Sequence, residues 1–441
     1  MDKQSRLQFQ VEAGGLLAGT IEVPGDKSMS HRSVMFGAMA HGITEVSGFL
    51  EGEDALHTLH AFEQMGVFIE RSGAGKLTIH GRGVEGLRAP DQPIYHGNAG
   101  TGMRLLLGLL AGLRIRATLT GDESLSQRPM LRIVDPLKAM GAQVSTAEHG
   151  TPPLTLCGGD QLKAIEYSTP MASAQVKSCI LLAGLHAHGK TIVHEPDITR
   201  DHTERMLRGF GVNVQSNGLR VELDGDQQLT ATQLHVPGDI SSAAFFLVGA
   251  AMVPGSIVTI NNVGLNPTRR GVVDILRLMG ADIVESNARE SGGEPVADLR
   301  VSGTQLKGID VPRELVSLAI DEFPALFVAA ASAVGTTVVT GAEELRVKET
   351  DRIQVMTDGL RSLGVDIIDT PDGARIVGGS IQGGTVDSAG DHRTAMSFAI
   401  AALIANGPII VLDCDNVATS FPGFVSLAAD SGLRVSESRI G

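Results

Sequence analysis

The 441-residue sequence contains no tryptophan and only two tyrosines, and aromatic residues make up 3% of the chain. Proteins that bind single-stranded nucleic acid without sequence preference usually stack the bases on aromatic side chains, which are scarce here. Basic residues are also in the minority, because 36 lysines and arginines stand against 50 aspartates and glutamates, for a net charge of −14. This acidic balance argues against partners such as nucleic acid or an anionic membrane surface.

Cysteine is scarce as well, since the chain has only Cys157, Cys179 and Cys414. Three cysteines without a Cys-x-x-Cys spacing do not predict structural disulfides, and we expect a reducing, cytoplasmic location. The first six residues, Met-Asp-Lys-Gln-Ser-Arg, lack the apolar region of a signal peptide. The longest apolar runs, Phe323–Val334 and Ala395–Ala405, are too short to cross a bilayer and predict buried helices.

The chain does contain internal repeats, which decide the fold class when they are present. The segment Val-Pro-Gly-Asp-Lys-Ser-Met-Ser-His-Arg at 23–32 recurs as Val-Pro-Gly-Asp-Ile-Ser-Ser-Ala-Ala-Phe at 236–245. The first copy carries Lys27, His31 and Arg32, where the second copy has apolar residues. A helix amino terminus that also carries cations is suited to hold an anion, so the first copy predicts an anion site. The alternative is a tight turn and a capped core helix, which is our interpretation of the second copy.

A second repeat occurs six times, as an apolar or small residue and a glycine followed by a strand-like run. The six glycines are Gly66, Gly141, Gly211, Gly280, Gly364 and, in a weaker copy, Gly432. Each glycine stands where a helix would end in a left-handed residue before the next strand. Together with a second, Ala- and Leu-rich helix upstream, each unit is predicted to run strand, helix, strand, helix, strand. A chain of this length exceeds what one core usually organises, so we expect two similar lobes of three units.

Cations recur in turns elsewhere in the chain. In the segment 97–104, Asn98, Gly100 and Thr101 would let backbone N–H groups approach a ligand, with Arg104 one turn further; the alternative is a flexible turn. Arg128 precedes a proline, which disfavours helical geometry and predicts that a turn presents it, although a solvated loop arginine would show the same pattern. The segment 390–396 places Arg393 at another helix start.

The segment 345–352, Leu-Arg-Val-Lys-Glu-Thr-Asp-Arg, alternates in charge. Such a run is usually a solvated, salt-bridged helix face. Glu349, between Lys348 and Arg352, could instead donate a proton beside bound anions. The two cations would lower the pKa of this carboxyl and bound anions would raise it, and a general acid near neutral pH needs the second effect to dominate.

Eight motifs together resemble the 5-enolpyruvylshikimate 3-phosphate synthase family over nearly the whole chain. The motifs are Pro-Gly-Asp-Lys-Ser-Met-Ser-His-Arg (24–32), Gly-Asn-Ala-Gly-Thr-Gly-Met-Arg (97–104), Gln-Arg-Pro-Met (127–130), Ser-Ala-Gln-Val-Lys (173–177), Arg-Asp-His-Thr-Glu (200–204), Asp-Glu-Phe-Pro (321–324), Arg-Val-Lys-Glu-Thr-Asp-Arg (346–352) and Asp-His-Arg-Thr-Ala-Met (391–396). Ser-Ala-Gln-Val-Lys and Arg-Asp-His-Thr-Glu, together with Asn266-Pro-Thr-Arg269, look like the class II branch of the family, whose members are often tolerant of glyphosate.

The resemblance implies an α/β fold of two similar lobes, each built of three βαβαββ-type units in an inside-out α/β barrel. Lobe 1 would comprise residues 1–22 and 236–441, lobe 2 would comprise residues 23–235, and the active site would lie in the inter-lobe cleft. The implied reaction transfers the enolpyruvyl group of phosphoenolpyruvate to the 5-hydroxyl of shikimate 3-phosphate and releases phosphate. The family pattern implies no cofactor and no metal, and the expected chain is a monomer that glyphosate inhibits.

The same resemblance assigns roles to residues of this chain. The expected ligands of shikimate 3-phosphate are Lys27, Ser28, Arg32, Ser173, Ala174, Gln175, Arg200, Asp321 and Lys348. The expected ligands of phosphoenolpyruvate are Lys27, Asn98, Gly100, Thr101, Arg128, Gln175, Arg352 and Arg393. The expected catalytic groups are Asp321 as base for the 5-hydroxyl, Glu349 as proton donor to the methylene carbon, and Lys27 as a partner in proton transfer.

Two positions concern the family pattern more closely. Many members carry a lysine where this chain has Thr419, so the contribution of that cation is absent here. Glyphosate tolerance in the class II branch can rest on alanine at the position of Gly100, which narrows the phosphoenolpyruvate pocket. Because this chain keeps glycine there, we expect only partial tolerance.

Two other functions fit parts of the pattern. A UDP-N-acetylglucosamine enolpyruvyl transferase has the same fold and reaction type, but uses a loop cysteine near the Arg128 region, and no cysteine precedes Cys157 here. A non-catalytic, anion-binding relative would keep the fold without turnover. The acidic and histidine residues of Asp201–Glu204 lack a recognised metal spacing and predict no metal site.

Overall fold

The computed structural model describes residues 6–157 and 162–440 as fourteen α-helices and twenty-five β-strands with short 3₁₀ turns. The helices are α1 Lys27–Met39, α2 Glu53–Gln64, α3 Gly100–Leu110, α4 Glu123–Ser126, α5 Leu131–Ala139, α6 Ala174–Gly184, α7 His202–Gly209, α8 Ile240–Ala251, α9 Gly271–Leu278, α10 Arg313–Val316, α11 Phe323–Ser332, α12 Arg352–Ser362, α13 His392–Ala401 and α14 Phe424–Asp430. In the described residues, no helix combines the length and apolar character that crossing a membrane requires.

The strands are short and most belong to small mixed sheets. They are β1 Arg6–Val11, β2 Ala18–Glu22, β3 His41–Ser47, β4 Phe68–Gly73, β5 Lys76–Arg82, β6 Ile94–Tyr95, β7 Ala117–Thr120, β8 Gln143–Ser145, β9 Leu154–Cys157, β10 Leu162–Lys163, β11 Glu166–Ser168, β12 Ala187–His188, β13 Lys190–His194, β14 Val214–Asn217, β15 Arg220–Asp224, β16 Gln233–His235, β17 Ile257–Gly264, β18 Asp282–Ser291, β19 Glu294–Ser302, β20 Thr336–Val339, β21 Asp366–Thr370, β22 Gly373–Val377, β23 Gly384–Asp387, β24 Ile409–Leu412 and β25 Val435–Ile440.

The chain divides into two compact units, each with its own hydrophobic core. Unit 1 contains the described residues up to Pro24, Gly238–Arg289 and the chain from Pro295 onward, and unit 2 contains Gly25–Pro237 and Glu290–Glu294. The sequence-based boundaries fall after residues 22 and 235, two residues before these crossings. The turn between β18 and β19, which is counted with unit 2, has no counterpart in the expected division.

Each unit contains three helix–sheet repeats. The unit 2 sheets have the strand orders β16-β3-β5-β4, β6-β7-β9-β8 and β11-β13-β15-β14, and the unit 1 sheets have the orders β2-β17-β19-β18, β20-β22-β21 and β23-β24-β1-β25. In the five four-stranded sheets the first pair is parallel and the second pair is antiparallel. The third pair is antiparallel in the four sheets other than β2-β17-β19-β18. In the three-stranded sheet, an isolated parallel bridge between Asp310 and Val338 takes the place of the first strand. The six repeats predicted from the sequence are therefore confirmed.

The duplicated Val-Pro-Gly-Asp turns stand at the two crossings between units. Strand β2 pairs with β17 in unit 1 and leads into α1 of unit 2, while β16 pairs with β3 in unit 2 and leads into α8 of unit 1. The first sheet of unit 1 thus includes β2, which comes from the segment before Gly25. The first sheet of unit 2 includes β16, which comes from the end of the segment Gly25–Pro237. The sixth sheet is completed in the same way by β1, which lies between β24 and β25.

All six repeat glycines have the left-handed conformation expected of a helix end, with φ values of +89, +99, +86, +93, +84 and +111°. At Gly66, the glycine N–H donates to the Glu63 carbonyl and the Val67 N–H donates to the Phe62 carbonyl, at 3.0 Å each. This pair of bonds is the Schellman motif, which satisfies carbonyls that a helix end leaves open. Equivalent bonds occur at the other five repeat glycines, so the glycine that recurs in the sequence marks the end of a helix.

The helices of each repeat form two sets. The inner helices, α1, α3 and α6 in unit 2 and α8, α11 and α13 in unit 1, are buried on nearly every face. The outer helices, α2, α5, α7, α9, α12 and α14, bury one face and expose the other. The long apolar runs are α11 and α13, which confirms that they are buried helices.

Candidate functional site

The predicted site residues lie mainly at amino termini of helices, in two groups that are described unit by unit. The unit 2 group comprises Lys27, Ser28, Arg32, Asn98, Gly100, Thr101, Arg128, Ser173, Ala174, Gln175 and Arg200. The unit 1 group comprises Asp321, Lys348, Glu349, Arg352 and Arg393. Free backbone N–H groups and the helix dipole favour anions at such termini.

In unit 2, α1 begins with Lys27 after Asp26, whose carboxylate accepts the Met29 N–H at 2.8 Å and caps the helix. Lys27 Nζ lies 2.9 Å from Asp54 Oδ2 on α2, and both side chains are largely buried. The aspartate therefore fixes the lysine at the helix start. This pairing joins the first two helices of the repeat, and the sequence motif does not predict it.

Arg32 is buried at 4% exposure, one turn after Ser28 on the same helix. Its guanidinium donates to the Ser28 carbonyl at 2.9 Å, to Thr203 Oγ1 at 2.8 Å and to Ser178 Oγ at 3.1 Å. Burial lowers the pKa of Arg32 to about 10, with Glu204 opposing the shift and Arg200 adding to it. Arg32 therefore stays a cation at neutral pH, held by neutral oxygens and able to interact with an anion.

The start of α3 and the start of α6 are joined through Gln175. Arg104 Nη1 donates to Gln175 Oε1 at 2.8 Å, and Gln175 Nε2 donates to Thr101 Oγ1 at 2.8 Å. Gly100, the first residue of α3, leaves little space for a side chain. A Cβ at this position would lie 2.9 Å from Arg104 Nη1 and 3.0 Å from Arg128 Nη1. The structure thus adds Arg104 to the predicted residues, and its place in the Gly-rich motif was the signal for it.

Arg128 lies between α4 and α5, as the following proline predicts. Its guanidinium donates to Asn98 Oδ1 and, at 3.3 Å, to Ser124 Oγ. Asn98 in turn donates from Nδ2 to Asp122 Oδ2 at 2.8 Å. The predicted residues Asn98, Gly100, Thr101, Arg128 and Gln175 are therefore brought together in unit 2.

The amino terminus of α6 is capped by Ser173, whose Oγ accepts the Val176 N–H at 3.5 Å, and Ala174 begins the helix. Arg200 lies in the loop 195–201 between β13 and α7 and is half-buried. It lowers the pKa of Arg32, so the two guanidinium groups are close enough to repel each other. Two cations held in this way are typical of an anion site.

The unit 1 group surrounds Asp321, which precedes α11 and is 8% exposed. Its carboxylate lies 3.3 Å from Arg352 Nη1, 3.6 Å from Lys348 Nζ and 3.9 Å from Arg393 Nη2. Arg393 also donates to the Asp321 backbone carbonyl at 3.1 Å. One carboxylate among three cations is the geometry expected of a group that works beside bound anions.

Arg352 is 2% exposed and begins α12 after the capping residue Asp351. Its guanidinium donates to Asp391 Oδ2 at 2.7 Å and to Glu349 Oε2 at 2.6 Å. Burial favours the neutral form, but Asp391, Glu349 and Asp321 outweigh it and raise the pKa of Arg352. The segment 345–352 is therefore not a solvated helix face, because a 3₁₀ turn ends at Val347 and α12 begins only at Arg352.

Two other sequence features take definite places. Thr419, where many relatives are expected to have lysine, is buried and donates to the Asn416 carbonyl at 2.7 Å. Within residues 6–157 and 162–440, no cluster of three or more His, Cys, Asp or Glu side chains has the arrangement of a metal site. The residues Asp201–Glu204 instead contact neighbours, among them His202 Nδ1 with Glu294 Oε1 at 2.7 Å.

The chain matches the family model described as EPSP synthase (3-phosphoshikimate 1-carboxyvinyltransferase) over residues 11–427. It is 61% identical to a 3-phosphoshikimate 1-carboxyvinyltransferase of Methylococcus capsulatus, over 97% of this chain and 98% of that protein. It is 60% identical to one of Alkalilimnicola ehrlichii, over 97% and 96% of the two chains. A solved EPSP synthase of Acinetobacter baumannii has the same fold, with a TM-score of 0.89 and 55% identity, over 98% of this chain and 100% of that chain. The chain therefore belongs to the EPSP synthase family of transferases.

Proposed function

We propose that this chain transfers the enolpyruvyl group of phosphoenolpyruvate to the 5-hydroxyl of shikimate 3-phosphate and releases inorganic phosphate. The observation that carries the proposal is Asp321, a nearly buried carboxylate within 4 Å of Lys348, Arg352 and Arg393. Two substrates that carry phosphate and carboxylate groups need many cations, and the reaction between them needs a group that removes a proton. The unit 1 group contains both.

The proposed roles of the unit 2 residues are those that the family resemblance implies. Ser28 and Arg32 bind the carboxylate of shikimate 3-phosphate, and Gln175 packs against its ring. The proposed ligands of its phosphate are Ser173, the Ala174 N–H at the α6 terminus, Arg200 and Lys348. The proposed ligands of phosphoenolpyruvate are Lys27, Asn98, Gly100, Thr101, Arg128, Gln175, Arg352 and Arg393.

The reaction proceeds by addition and elimination. Asp321 removes the proton of the 5-hydroxyl while the hydroxyl oxygen attacks C2 of phosphoenolpyruvate. Glu349 gives a proton to the methylene carbon C3. The product of this step is a tetrahedral ketal in which C2 carries both the former 5-hydroxyl oxygen of shikimate 3-phosphate and the phosphate. Loss of a proton from the new methyl group then restores the double bond as the C2–O bond to phosphate breaks. Lys27 takes part in these proton transfers at the start of α1.

Positioning and charge stabilisation supply most of the barrier reduction in this scheme. Glu349 accepts from Arg352 at 2.6 Å, so a bound anion that engages Arg352 changes the surroundings of the proton donor. A bound anion beside Glu349 favours the protonated form of this carboxyl, which a general acid needs. Glyphosate inhibition, a monomeric state and a cytoplasmic location belong to the same proposal as expectations.

The test is phosphate release by the purified protein with both substrates, without added metal, and with each substrate omitted in turn. Release that requires both substrates is expected. Glu349→Gln should abolish turnover while shikimate 3-phosphate still binds by calorimetry, which a non-catalytic anion binder could not show because it has no turnover to lose. Release with UDP-N-acetylglucosamine, but not with shikimate 3-phosphate, would contradict the proposal in favour of the other transferase.

A further inference from the structure

Behind the amino terminus of α6, a buried lysine joins three segments of unit 2. Lys177 Nζ lies 2.7 Å from Glu195 Oε2, 2.9 Å from Glu204 Oε1 and 3.4 Å from the Thr199 carbonyl oxygen. Thr199 Oγ1 donates to the other oxygen of Glu195. We call these four residues the Lys177 cluster. None of them is among the residues that the proposed reaction uses.

The cluster is buried and charged, which makes it costly to build without a purpose. The side chains of Lys177, Glu195 and Glu204 are 2%, 3% and 1% exposed. Burial disfavours the lysine cation, but Glu204 and Glu195 outweigh it and raise the pKa of Lys177. Burial raises the pKa of Glu195, although Lys177 opposes that shift. Taking these charges out of water costs several kcal/mol per ion on the order of magnitude seen in proteins, and only good pairing offsets it.

The three residues that contact Lys177 lie close to Arg200 along the chain, on both sides of it. Glu195 stands directly after β13, Thr199 immediately precedes Arg200, and Glu204 lies on the first turn of α7. The loop 195–201 contains no helix or strand, and Pro196, Asp197 and Ile198 are exposed. Two of the four members of the cluster therefore lie in the loop that carries Arg200, and they anchor it to α6 on both sides of its exposed part.

The cluster also reaches the second cation of the same region. Glu204 raises the pKa of Arg32, while Arg200 lowers it. Thr203, next to Glu204, accepts from Arg32 Nε at 2.8 Å and donates to Ser178 on α6 at 2.7 Å. Two negative charges next to Lys177 and Arg32 balance these cations. The hydrogen bonds of Arg32 hold its guanidinium in place against the repulsion from Arg200.

We propose that Lys177 is a positioning residue for phosphate recognition: it fixes the loop 195–201 to α6 and thereby sets Arg200 against the phosphate of shikimate 3-phosphate. The inference rests on the proposed function, because it needs that phosphate as the ligand of Arg200. Lys177 itself touches no substrate in this scheme. Its effect passes through Glu195 and Thr199 to the neighbouring arginine.

The test compares two ligands that differ only in the phosphate. Lys177→Met should weaken shikimate 3-phosphate binding by about 10- to 100-fold, the scale on which small misplacements act. Thr199→Val, which removes one hydrogen bond, should weaken it about threefold. Binding of shikimate, which has no phosphate, should change less than about twofold by calorimetry. In turnover, KM for shikimate 3-phosphate should rise while kcat stays within about twofold.

A double-mutant cycle with Arg200→Ala provides the second measurement. If Lys177 acts through Arg200, then Lys177→Met and Thr199→Val should have little further effect in the Arg200→Ala background. Lys190→Met is the matched control. Lys190, on β13, also pairs with a glutamate, because its Nζ lies 2.8 Å from Glu222 Oε1, but the lysine side chain is 41% exposed. This control should leave both affinities unchanged.

The outcomes separate the two proposals. A wild-type protein that neither binds shikimate 3-phosphate nor releases phosphate overturns the proposed function and this inference with it. An active wild-type protein whose Lys177→Met and Thr199→Val variants lose affinity equally for both ligands, or add fully to Arg200→Ala, overturns the positioning role alone. Where circular dichroism shows that Lys177→Met does not fold, the milder Thr199→Val decides.

Discussion

The two units hold their predicted cations with different partners. In unit 1, Lys348, Arg352 and Arg393 all lie within 4 Å of Asp321, and Arg352 also contacts Asp391 and Glu349. In unit 2, the described bonds of the arginine side chains run largely to neutral groups. Those groups are the hydroxyls of Ser178, Thr203 and Ser124, the Ser28 carbonyl and the amides of Asn98 and Gln175.

This difference separates two tasks. A cation with neutral partners keeps its charge available for an anion, so the unit 2 group is suited to bind and orient. Carboxylates placed among cations can exchange protons while the cations hold the anions that react. The comparison predicts that substitution of the unit 1 carboxylates Asp321 and Glu349 acts on kcat, whereas substitution of the unit 2 arginines acts on binding.

The largest effect is expected at the centre of the unit 1 group. Asp321→Asn keeps the size of the side chain but removes the base, so kcat should fall by about 10²- to 10⁴-fold. Shikimate 3-phosphate affinity, measured by calorimetry, should change only a few-fold. Asp358→Asn, an exposed carboxylate on α12, is the control and should have wild-type kcat. A loss confined to affinity at Asp321 would break the division of tasks.

Acid should unfold unit 2 before unit 1, because the buried histidines His31 and His96 both lie between residues 25 and 237. Burial is the main cause that lowers the pKa of His31 to about 3; Lys27, Arg32 and His57 contribute to the shift, and Asp26 opposes it. Burial also lowers the pKa of His96 to about 3, with contributions from His31 and His57.

Because the folded pKa lies below the ordinary value of 6.5, the unfolded chain binds protons more readily, and stability falls as pH drops below 6.5 towards 3. At pH 5 each histidine should cost about 2 kcal/mol of unfolding free energy relative to neutral pH. Urea unfolding at pH 7 and pH 5 measures the loss. Hydrogen exchange should then show unit 2 amides losing protection first, and equal loss in both units would contradict the prediction.

A smaller effect is expected at Arg32. Arg32→Met keeps much of the apolar contact but removes a cation with three hydrogen bonds, so shikimate 3-phosphate binding should weaken by about 10- to 100-fold. The kcat at saturating substrate should change much less than it does in Asp321→Asn. Arg71→Met, at a half-exposed ion pair in the same unit, should leave the affinity unchanged. A fall in kcat as large as that of Asp321→Asn would show that Arg32 also contributes to the chemical step.

The smallest effect sharpens the pocket itself. A methyl group at Gly100 would press on the guanidinium tips of Arg104 and Arg128, which can move, so Gly100→Ala should fold normally. The glyphosate inhibition constant should rise about tenfold or less, because the displaced groups belong to the phosphoenolpyruvate site. The phosphoenolpyruvate KM should rise less, since phosphoenolpyruvate is the shorter molecule. Gly209→Ala, which meets nothing within 4 Å, is the control, and an unchanged inhibition constant would sink the idea.

Local signals in the sequence predict much of this fold. The six glycines mark helix ends because a left-handed residue after a helix is a local requirement, and the Val-Pro-Gly-Asp copies mark helix starts because their aspartates cap α1 and α8. Motif resemblance places most of the site residues at helix starts for the same reason. The position of Arg128 in a turn follows from the proline beside it.

The partners of those residues could not be predicted in the same way. Asp54 reaches Lys27 only after α2 has packed against α1, and Asp391 reaches Arg352 only after two repeats have packed, so the spacing of these residues in the chain does not predict either pair. The Lys177 cluster is hidden for the same reason, since a lysine inside an apolar helix usually suggests an exposed face. The buried histidines give no sequence pattern either, because the burial that is the main cause of their lowered pKa values arises only in the folded chain.

The placement of β1 and β2 has a consequence for how the protein is made on the ribosome. Both strands are synthesised first, yet their partners β17, β24 and β25 come more than two hundred residues later. At about 5–20 residues per second, these early strands wait about ten seconds or longer with open edges, whereas Gly25–Pro237 can fold as soon as β16 emerges. The nascent chain must therefore keep β1 and β2 from pairing with the wrong strands. A circular permutant that starts near Gly25 and carries the early strands at its end would shorten that exposure.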